Sequence, residues 1–338
     1  RFGFKSRGLG DVYKRQTLKP FVYALALEKG WSAATLIDDS PLSQGVGNGL
    51  HAYQNYSREH YGLVSVREAL GNSLNIPALK ALQFVGQDKL FARLQELGIT
   101  SLDRHPNQYG DGIALGNGEV SLYELVQAYS ALARQGTFTP LIFGSQIPHA
   151  AKRRAFTPET TSLISDILSD PNARTLEFGT ASILNRAQQT AIKTGTSSDH
   201  MDTWAVGYNH RYVLGVWMGN LDRTATNELT GASGPAFILR NVFAHLDNTE
   251  TPKPLYLSPN LVRQWVCLPV EPSERCRDEW FLAQHRPRTG DIVKPDYFVR
   301  SPSPGLKMAR DPRIPDEAEW FRFELNRNDF DRVISWFT

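Results

Sequence analysis

The spacing of apolar residues changes period once along this 338-residue chain, and that change most constrains its fold. Up to about residue 168 apolar side chains recur at helical spacing, and from residue 190 they alternate. Residues 17–27 read as a buried helix with Pro20 in its first turn, where a missing N–H is tolerated, and Gly30 as its stop. Ser65-Val66-Arg67-Glu68 and Ser121-Leu122-Tyr123-Glu124 are capping boxes, each opening a helix. The second of these helices ends by Gly136. Asn75-Ile76-Pro77 starts a helix to about Phe84, with Asn75 as its N-cap. Another helix covers roughly 88–97, and Thr157-Pro158 opens one to about Leu168. Residues 190–196, 203–208 and 212–218 read as strands, the last two joined by Asn209-His210-Arg211. Ser233-Gly234-Pro235 opens a closing helix to about Leu246. Helices first and an antiparallel sheet late indicate an α+β domain.

Composition excludes several alternatives. Apolar residues make up 41% of the chain, an ordinary globular level, so general disorder is excluded. The longest apolar run, 21–27, is too short for a transmembrane helix, and no secretory signal is visible. Lys and Arg total 37 against 35 Asp and Glu, a net charge of +2 that implies no nucleic-acid partner. The two cysteines, Cys267 and Cys276, cannot make a four-ligand zinc site, and no His lies between them. A short-loop disulfide and two unrelated thiols both fit their spacing.

The ends differ in texture from the middle. Residues 1–16 carry five basic residues, one acid and three glycines without periodicity, and read as a frayed terminus. Residues 251–313 are Pro-rich and irregular, with aromatic islands at Trp265, Trp280-Phe281 and Tyr297-Phe298. Alternating segments near 319–325 and 333–337 read as strands of a small β domain that stops too early to close a sheet, so truncation is expected. The resulting division is 1–16, 17–250, a linker with the cysteine pair at 251–296, and the start of a β domain at 297–338.

Three motifs carry chemistry. Lys193-Thr194-Gly195-Thr196-Ser197 lies on a predicted strand; a Lys-Thr-Gly-Thr/Ser run is expected by chance only about 0.01 times in such a chain. Gly195 leaves room for a peptide-like ligand along the strand, Thr194 and Thr196 share a face, and their hydroxyls suit a carboxylate beside the positive Lys193. Ser73-Leu74-Asn75 is a weak signal alone, expected about once by chance. The third motif is incomplete. A Ser-x-x-Lys helix sets serine and lysine on one face so that the lysine takes the serine proton. Lys19 stands at such a helix start, but Gln16 is three residues before it, and no serine in the chain has lysine three positions later. A glutamine amide is not a nucleophile.

In order and spacing, Thr17-Leu18-Lys19-Pro20-Phe21, Ser73-Leu74-Asn75 and Lys193-Thr194-Gly195-Thr196-Ser197 resemble penicillin-binding protein transpeptidase domains. So do the run from Val64 to Leu70, Ala114-Leu115-Gly116, Glu119-Val120-Ser121, Trp204-Ala205-Val206-Gly207-Tyr208 and Val216-Trp217-Met218-Gly219. The tail, with Cys267, Cys276, Glu279-Trp280-Phe281, Pro304-Gly305-Leu306 and Asp311-Pro312-Arg313-Ile314-Pro315, resembles the 1C type of the bifunctional class A branch. The resemblance covers roughly residues 17–338. It implies the serine D,D-peptidase and β-lactamase-like fold, an antiparallel sheet flanked by helices. It also implies a peptidoglycan D,D-transpeptidase that works through a serine acyl-enzyme, with no metal or organic cofactor.

By that resemblance the nucleophile belongs at Gln16, Lys19 is the acylation base, and Ser73 relays a proton with Lys193 beside it. Asn75 binds the donor amide. Thr194 and Thr196 bind the terminal carboxylate, Gly195 belongs to the same substrate-binding strand, and the Thr196 N–H is an oxyanion donor. The implied partners are peptidoglycan stem peptides on lipid II-derived glycan strands, and β-lactams. The implied place is the periplasmic face of the bacterial inner membrane, reached through an N-terminal anchor, with a glycosyltransferase domain, that this chain does not show. The periplasm favours a Cys267–Cys276 disulfide. Two explanations of Gln16 stand: residues 1–16 are foreign to the gene, or the chain is an inactive homologue. The other motifs are intact, which favours the first. A non-catalytic peptidoglycan-binding or scaffolding module is the alternative function. A β-lactamase fits less well because of the extra C-terminal region.

Overall fold

The computed structural model describes residues 16–46, 49–142, 152–197, 202–220, 222, 224–226, 229–248, 251–268 and 275–286, with the side chains of 16, 44–51, 107 and 268 not among them. The strands expected near 319–325 and 333–337 lie outside these residues. A 3-10 turn, Gln16–Leu18, runs directly into α1 (Lys19–Glu28). Short strands β1 (Leu36–Asp38), β2 (Leu42–Val46), β3 (Gly49–Tyr53) and β4 (Leu63–Ser65) follow. Helices α2 (Val66–Gly71), α3 (Asn75–Val85), α4 (Gln87–Glu96), α5 (Pro106–Tyr109) and α6 (Leu122–Ala133) make up the next stretch. Strands β5 (Thr137–Phe138) and β6 (Arg153–Arg154) pair before α7 (Pro158–Ser169) and α8 (Thr175–Phe178). Then come β7 (Ala191–Thr196), β8 (Asp202–Tyr208), β9 (Val213–Gly219) and α9 (Pro235–Asp247). Strands β10 (Leu261–Leu268) and β11 (Arg275–Leu282) form a final hairpin.

Strands β7, β8 and β9 form an antiparallel sheet in that order, so β7 is an edge and β8 is central and wholly buried. Alternation divides it into two faces. Trp204, Val206 and Tyr208 join the large core built on α1, α6 and α7, whereas Ile192 and Ala205 pack with Leu239 and Phe243 of α9. The domain is thus layered, helices on both faces of one sheet. At its centre, Phe21, Val22, Tyr23, Ala24, Ala26 and Leu27 of α1 are fully buried. Each large apolar side chain there contributes roughly 1.5–3 kcal/mol of transfer free energy. This all-round burial explains why α1 lacks a polar face.

The capping boxes form as expected: Ser65 and Ser121 accept from the N–H groups of Glu68 and Glu124, whose carboxylates reach back. Other expectations need correction. Leu74, not Asn75, is the N-cap of α3, without a side-chain bond; Asn75 is the first helical residue and its side chain is used elsewhere. The β1–β4 pair, the β2–β3 hairpin and the β5–β6 pair add to the strands that the sequence pattern shows.

The stretch read as irregular linker contains the β10–β11 hairpin, and that hairpin is docked onto the domain. Val266 and Phe281 pack on Ala34 and Leu36. Arg67, at 4% exposure, donates from Nε to Glu279 at 2.7 Å and also pairs with Asp170 at 3.0 Å and with Asp166. Arg275 and Arg277 reach Glu68. Cys267 and Cys276 stand opposite each other in the ladder and are joined by a disulfide, with Cα atoms 4.0 Å apart. No helix among the described residues is long and apolar enough to cross a membrane.

Candidate active site

The site forms where the start of α1, the α2–α3 junction and the edge strand β7 meet. The junction has an unusual backbone. Helix α2 ends with the two bonds of a Schellman motif: Ser73 N–H to Leu70 O at 3.1 Å, and Leu74 N–H to Ala69 O at 2.9 Å. Its left-handed position belongs by preference to glycine, yet Ser73 occupies it with φ of 59°. A serine held there costs on the order of 1 kcal/mol or more. The cost is set against a fixed direction for its hydroxyl, since only Leu74 separates Ser73 from α3.

Lys19 opens α1 and is completely buried. Its Nζ donates to Ser73 O at 2.5 Å, Leu74 O at 3.0 Å and Asn75 Oδ1 at 2.7 Å, and lies 3.5 Å from Ser73 Oγ. The turn ahead of it is anchored by Tyr129, whose hydroxyl donates to Thr17 O at 2.7 Å. From the other side Lys193, 2% exposed, donates to Ser73 Oγ at 2.6 Å and to Thr194 O at 2.6 Å. The Ser73 hydroxyl therefore sits between two buried amines. Burial, and then the charge of Lys193, push Lys19 well below the ordinary lysine range; Glu177 and Asp39 pull the other way. Burial, and then Arg174, push Lys193 down to about 7. Burial thus disfavours the charged form of both amines, and for Lys193, at about 7, neutral and charged forms coexist near physiological pH.

Of the residues singled out from sequence, Lys19, Ser73, Asn75 and Lys193 come together. Thr194 and Thr196 lie on the same edge strand but on the opposite face. Lys193 pairs with Val206, on the α1 side, and Thr194 pairs with Ala205, on the α9 side. The Thr196 hydroxyl accepts from Gly231 N–H at 2.9 Å, and Gly231 packs so closely that a Cβ there would stand 2.8 Å from Gly195 O. The motif thus uses both faces of the sheet edge, because adjacent residues of a strand cannot share a face. Gln16 begins the 3-10 turn one turn before Lys19, and its side chain lies outside the described residues.

Four contributors carry no recognisable motif. Asn55 accepts from Asn75 N–H at 2.8 Å, and Asp39 accepts from Asn55 Nδ2 at 2.7 Å. Arg174 and Glu177 enter on the 172–178 segment, which Asn72 clamps by donating to Ala173 O at 2.8 Å and accepting from Glu177 N–H at 2.9 Å. No cluster of three or more His, Cys, Asp or Glu suited to a metal ion occurs among the described residues.

Residues 17–234 match the family model of the penicillin binding protein transpeptidase domain. Penicillin-binding protein 1C of Escherichia coli (strain K12) is 31% identical over 282 residues, covering 80% of this chain and 36% of that protein. Penicillin-binding protein 1A/1B of Bacillus subtilis (strain 168) is 31% identical over 254 residues, covering 68% of this chain and 27% of that protein. The chain therefore spans about a third or less of the length of these curated relatives. Among solved structures, penicillin-binding protein 1A from Haemophilus influenzae superposes with a TM-score of 0.66 at 24% identity, covering 82% of this chain and 48% of that one. The PonA1 protein from Mycobacterium tuberculosis in complex with penicillin V gives 0.63 at 19%, covering 75% and 74%. These likenesses carry the α+β fold, and with the family match over most of the described core they lead to one statement: the chain belongs to the penicillin-binding protein transpeptidase family.

Proposed function

We propose that this chain is the acyl-transfer domain of a peptidoglycan D,D-transpeptidase, a piece of a bifunctional peptidoglycan synthase acting on the periplasmic side of a bacterial inner membrane. The observation that supports this best is the Ser73 hydroxyl held 2.6 Å from Lys193 Nζ and 3.5 Å from Lys19 Nζ. In the proposed reaction a hydroxyl at position 16 attacks the carbonyl carbon of the penultimate D-alanine of a stem peptide. Lys19 takes the hydroxyl proton, and Ser73 passes a proton to the departing D-alanine nitrogen as the peptide bond breaks. An acceptor amine on a second stem peptide then attacks the ester, forming the cross-link and freeing the hydroxyl. Asn75 holds the donor amide and the Thr194–Thr196 edge the terminal carboxylate. The N–H groups of Thr196 and residue 16 face the developing oxyanion. A β-lactam enters as the donor and stays as the ester.

The residue at 16 is glutamine, whose amide offers no nucleophilic hydroxyl, so the chain as it stands binds donor without forming the ester. Replacing Gln16 by serine supplies the nucleophile. The test is release of free D-alanine from an N-acyl-D-Ala-D-Ala peptide by the Gln16→Ser chain. Release supports acyl transfer; saturable peptide binding without release supports the non-catalytic module instead.

A further inference from the structure

We propose that Asp39 and Asn55 are positioning residues of this acyl-transfer site: Asp39 dictates the orientation of the Asn55 amide, and Asn55 thereby fixes Asn75 and the Lys19 amine that Asn75 holds. The proposal rests on the acyl-transfer reading above and extends it to two residues outside the three motifs.

Helix α3 starts without help from its own N-cap, because Leu74 has no side-chain acceptor. Its first backbone donor, Asn75 N–H, is satisfied from a distant segment by Asn55 Oδ1 at 2.8 Å. The adjacent Gln54 O accepts from Asn75 Nδ2 at 2.6 Å, leaving Asn75 Oδ1 to accept from Lys19 Nζ at 2.7 Å. Residues 54 and 55 therefore grip Asn75 by backbone and side chain together, and the rotamer so fixed holds the amine.

An asparagine can do this only in one of its two amide orientations. Asn55 Nδ2 donates to Asp39 Oδ2 at 2.7 Å and to Glu59 O at 3.0 Å. With the amide turned over, its oxygen would face a carboxylate and a carbonyl, and its nitrogen would face the Asn75 N–H. Every contact would then pair like with like in a buried place, Asn55 being 3% exposed and Asp39 fully buried. The Asp39 carboxylate is itself placed by Tyr61 N–H on Oδ2 at 3.0 Å, while its Oδ1 is buried without a hydrogen-bond partner. A buried carboxylate with half its acceptor capacity unused is a poor choice for stability alone. It is a good choice where one oxygen must always accept.

The test uses two readouts. In the Gln16→Ser chain, the second-order rate of covalent labelling by a fluorescent penicillin should fall tenfold or more in Asn55→Ala and Asp39→Ala. Asp39→Asn keeps an acceptor oxygen facing Asn55 and Tyr61, and should stay within threefold of its parent. In the chain as it stands, hydrogen exchange at the Asn75 backbone amide, followed by NMR, should speed up at least tenfold in Asn55→Ala and Asp39→Ala but not in Asp39→Asn. Amides of β7 should keep their protection in all three, which separates positioning from loss of the fold. Parent rates in both alanine variants, or an Asp39→Asn as impaired as Asp39→Ala, would overturn the proposal. A Gln16→Ser parent that never labels counts against the acyl-transfer reading, and the Asn75 exchange still decides the positioning.

Discussion

Ser73 and Lys193 are 120 residues apart in the chain, yet the serine hydroxyl accepts a 2.6 Å hydrogen bond from the lysine amine. Each approaches from a different layer, Ser73 from a left-handed junction between helices and Lys193 from the helix-facing side of the sheet edge. Neither position is favourable in itself. A serine with positive φ and a fully buried lysine both cost stability, and both costs converge on one hydroxyl.

The Lys193 amine gives a pH signature. Its value is about 7 in the folded chain and 10.5 as the ordinary reference. Across that window the unfolded chain holds a proton that the folded chain has lost, so stability rises with pH from 7 towards 10.5. Below about pH 7 the full cost of the buried charge is present, on the order of 5 kcal/mol at most. Lys193→Met removes this contribution. In urea unfolding, the free-energy advantage of Lys193→Met over the parent should shrink steadily between pH 6.5 and 9.5. An advantage that does not change with pH would show that Lys193 is not depressed.

Asp39 behaves with the opposite sign. Burial raises its carboxyl from 3.8 to about 6, against the pull of the Tyr61 N–H, Asn55, His60 and Lys80, and it acts on the buried Tyr23 hydroxyl. Between pH 4 and 6 the folded chain holds the extra proton, so its stability falls as pH rises, and the cost is complete above about pH 6. Asp39→Asn should therefore be more stable than its parent at pH 8, by up to roughly 3 kcal/mol, and equal to it near pH 4. Thermal unfolding at the two pH values measures this.

Gly231 seals the far side of the motif. A Cβ there would stand 2.8 Å from Gly195 O and from Trp204 O, both backbone atoms of paired strands. Gly231→Ala must displace either the loop or β7, and should lose about 1–3 kcal/mol of unfolding free energy. A loss below about 0.5 kcal/mol would mean that the loop seats less closely than described.

Arg67 ties the C-terminal hairpin to the helix that leads into Ser73. It faces Glu279, 1% exposed, together with Asp166 and Asp170. Arg67→Met leaves the Glu279 carboxylate buried and uncompensated beside the partly exposed Asp166 and Asp170, and should cost about 3–5 kcal/mol in chemical denaturation. A double change, Arg67→Met with Glu279→Met, should recover part of that loss, because removing both partners of a buried pair costs less than removing one.

The legibility of this fold follows the range of its interactions. Both capping boxes involve groups three residues apart, and β7 to β9 show their period openly, so local reading suffices. Asn75 misleads because it looks like a cap when read alone; its partners, Gln54, Asn55 and Lys19, are set by tertiary packing. The β10–β11 hairpin is hidden because its polarity is inverted. Glu279 is buried by Arg67, while Trp265 on the outer face is 63% exposed. Asp39 and Asn55 belong to no motif, and only the path of the chain between β1 and β4 brings them beside the site.

The most direct measurement is intact-protein mass after incubation with penicillin, for the chain as it stands and for Gln16→Ser. The account predicts no added mass with Gln16 and one added penicillin in the Gln16→Ser chain. That addition should map to the peptide containing residue 16 and be lost when Lys19 is changed to methionine. Covalent addition to the chain with Gln16, or addition to Gln16→Ser at any other residue, would contradict it.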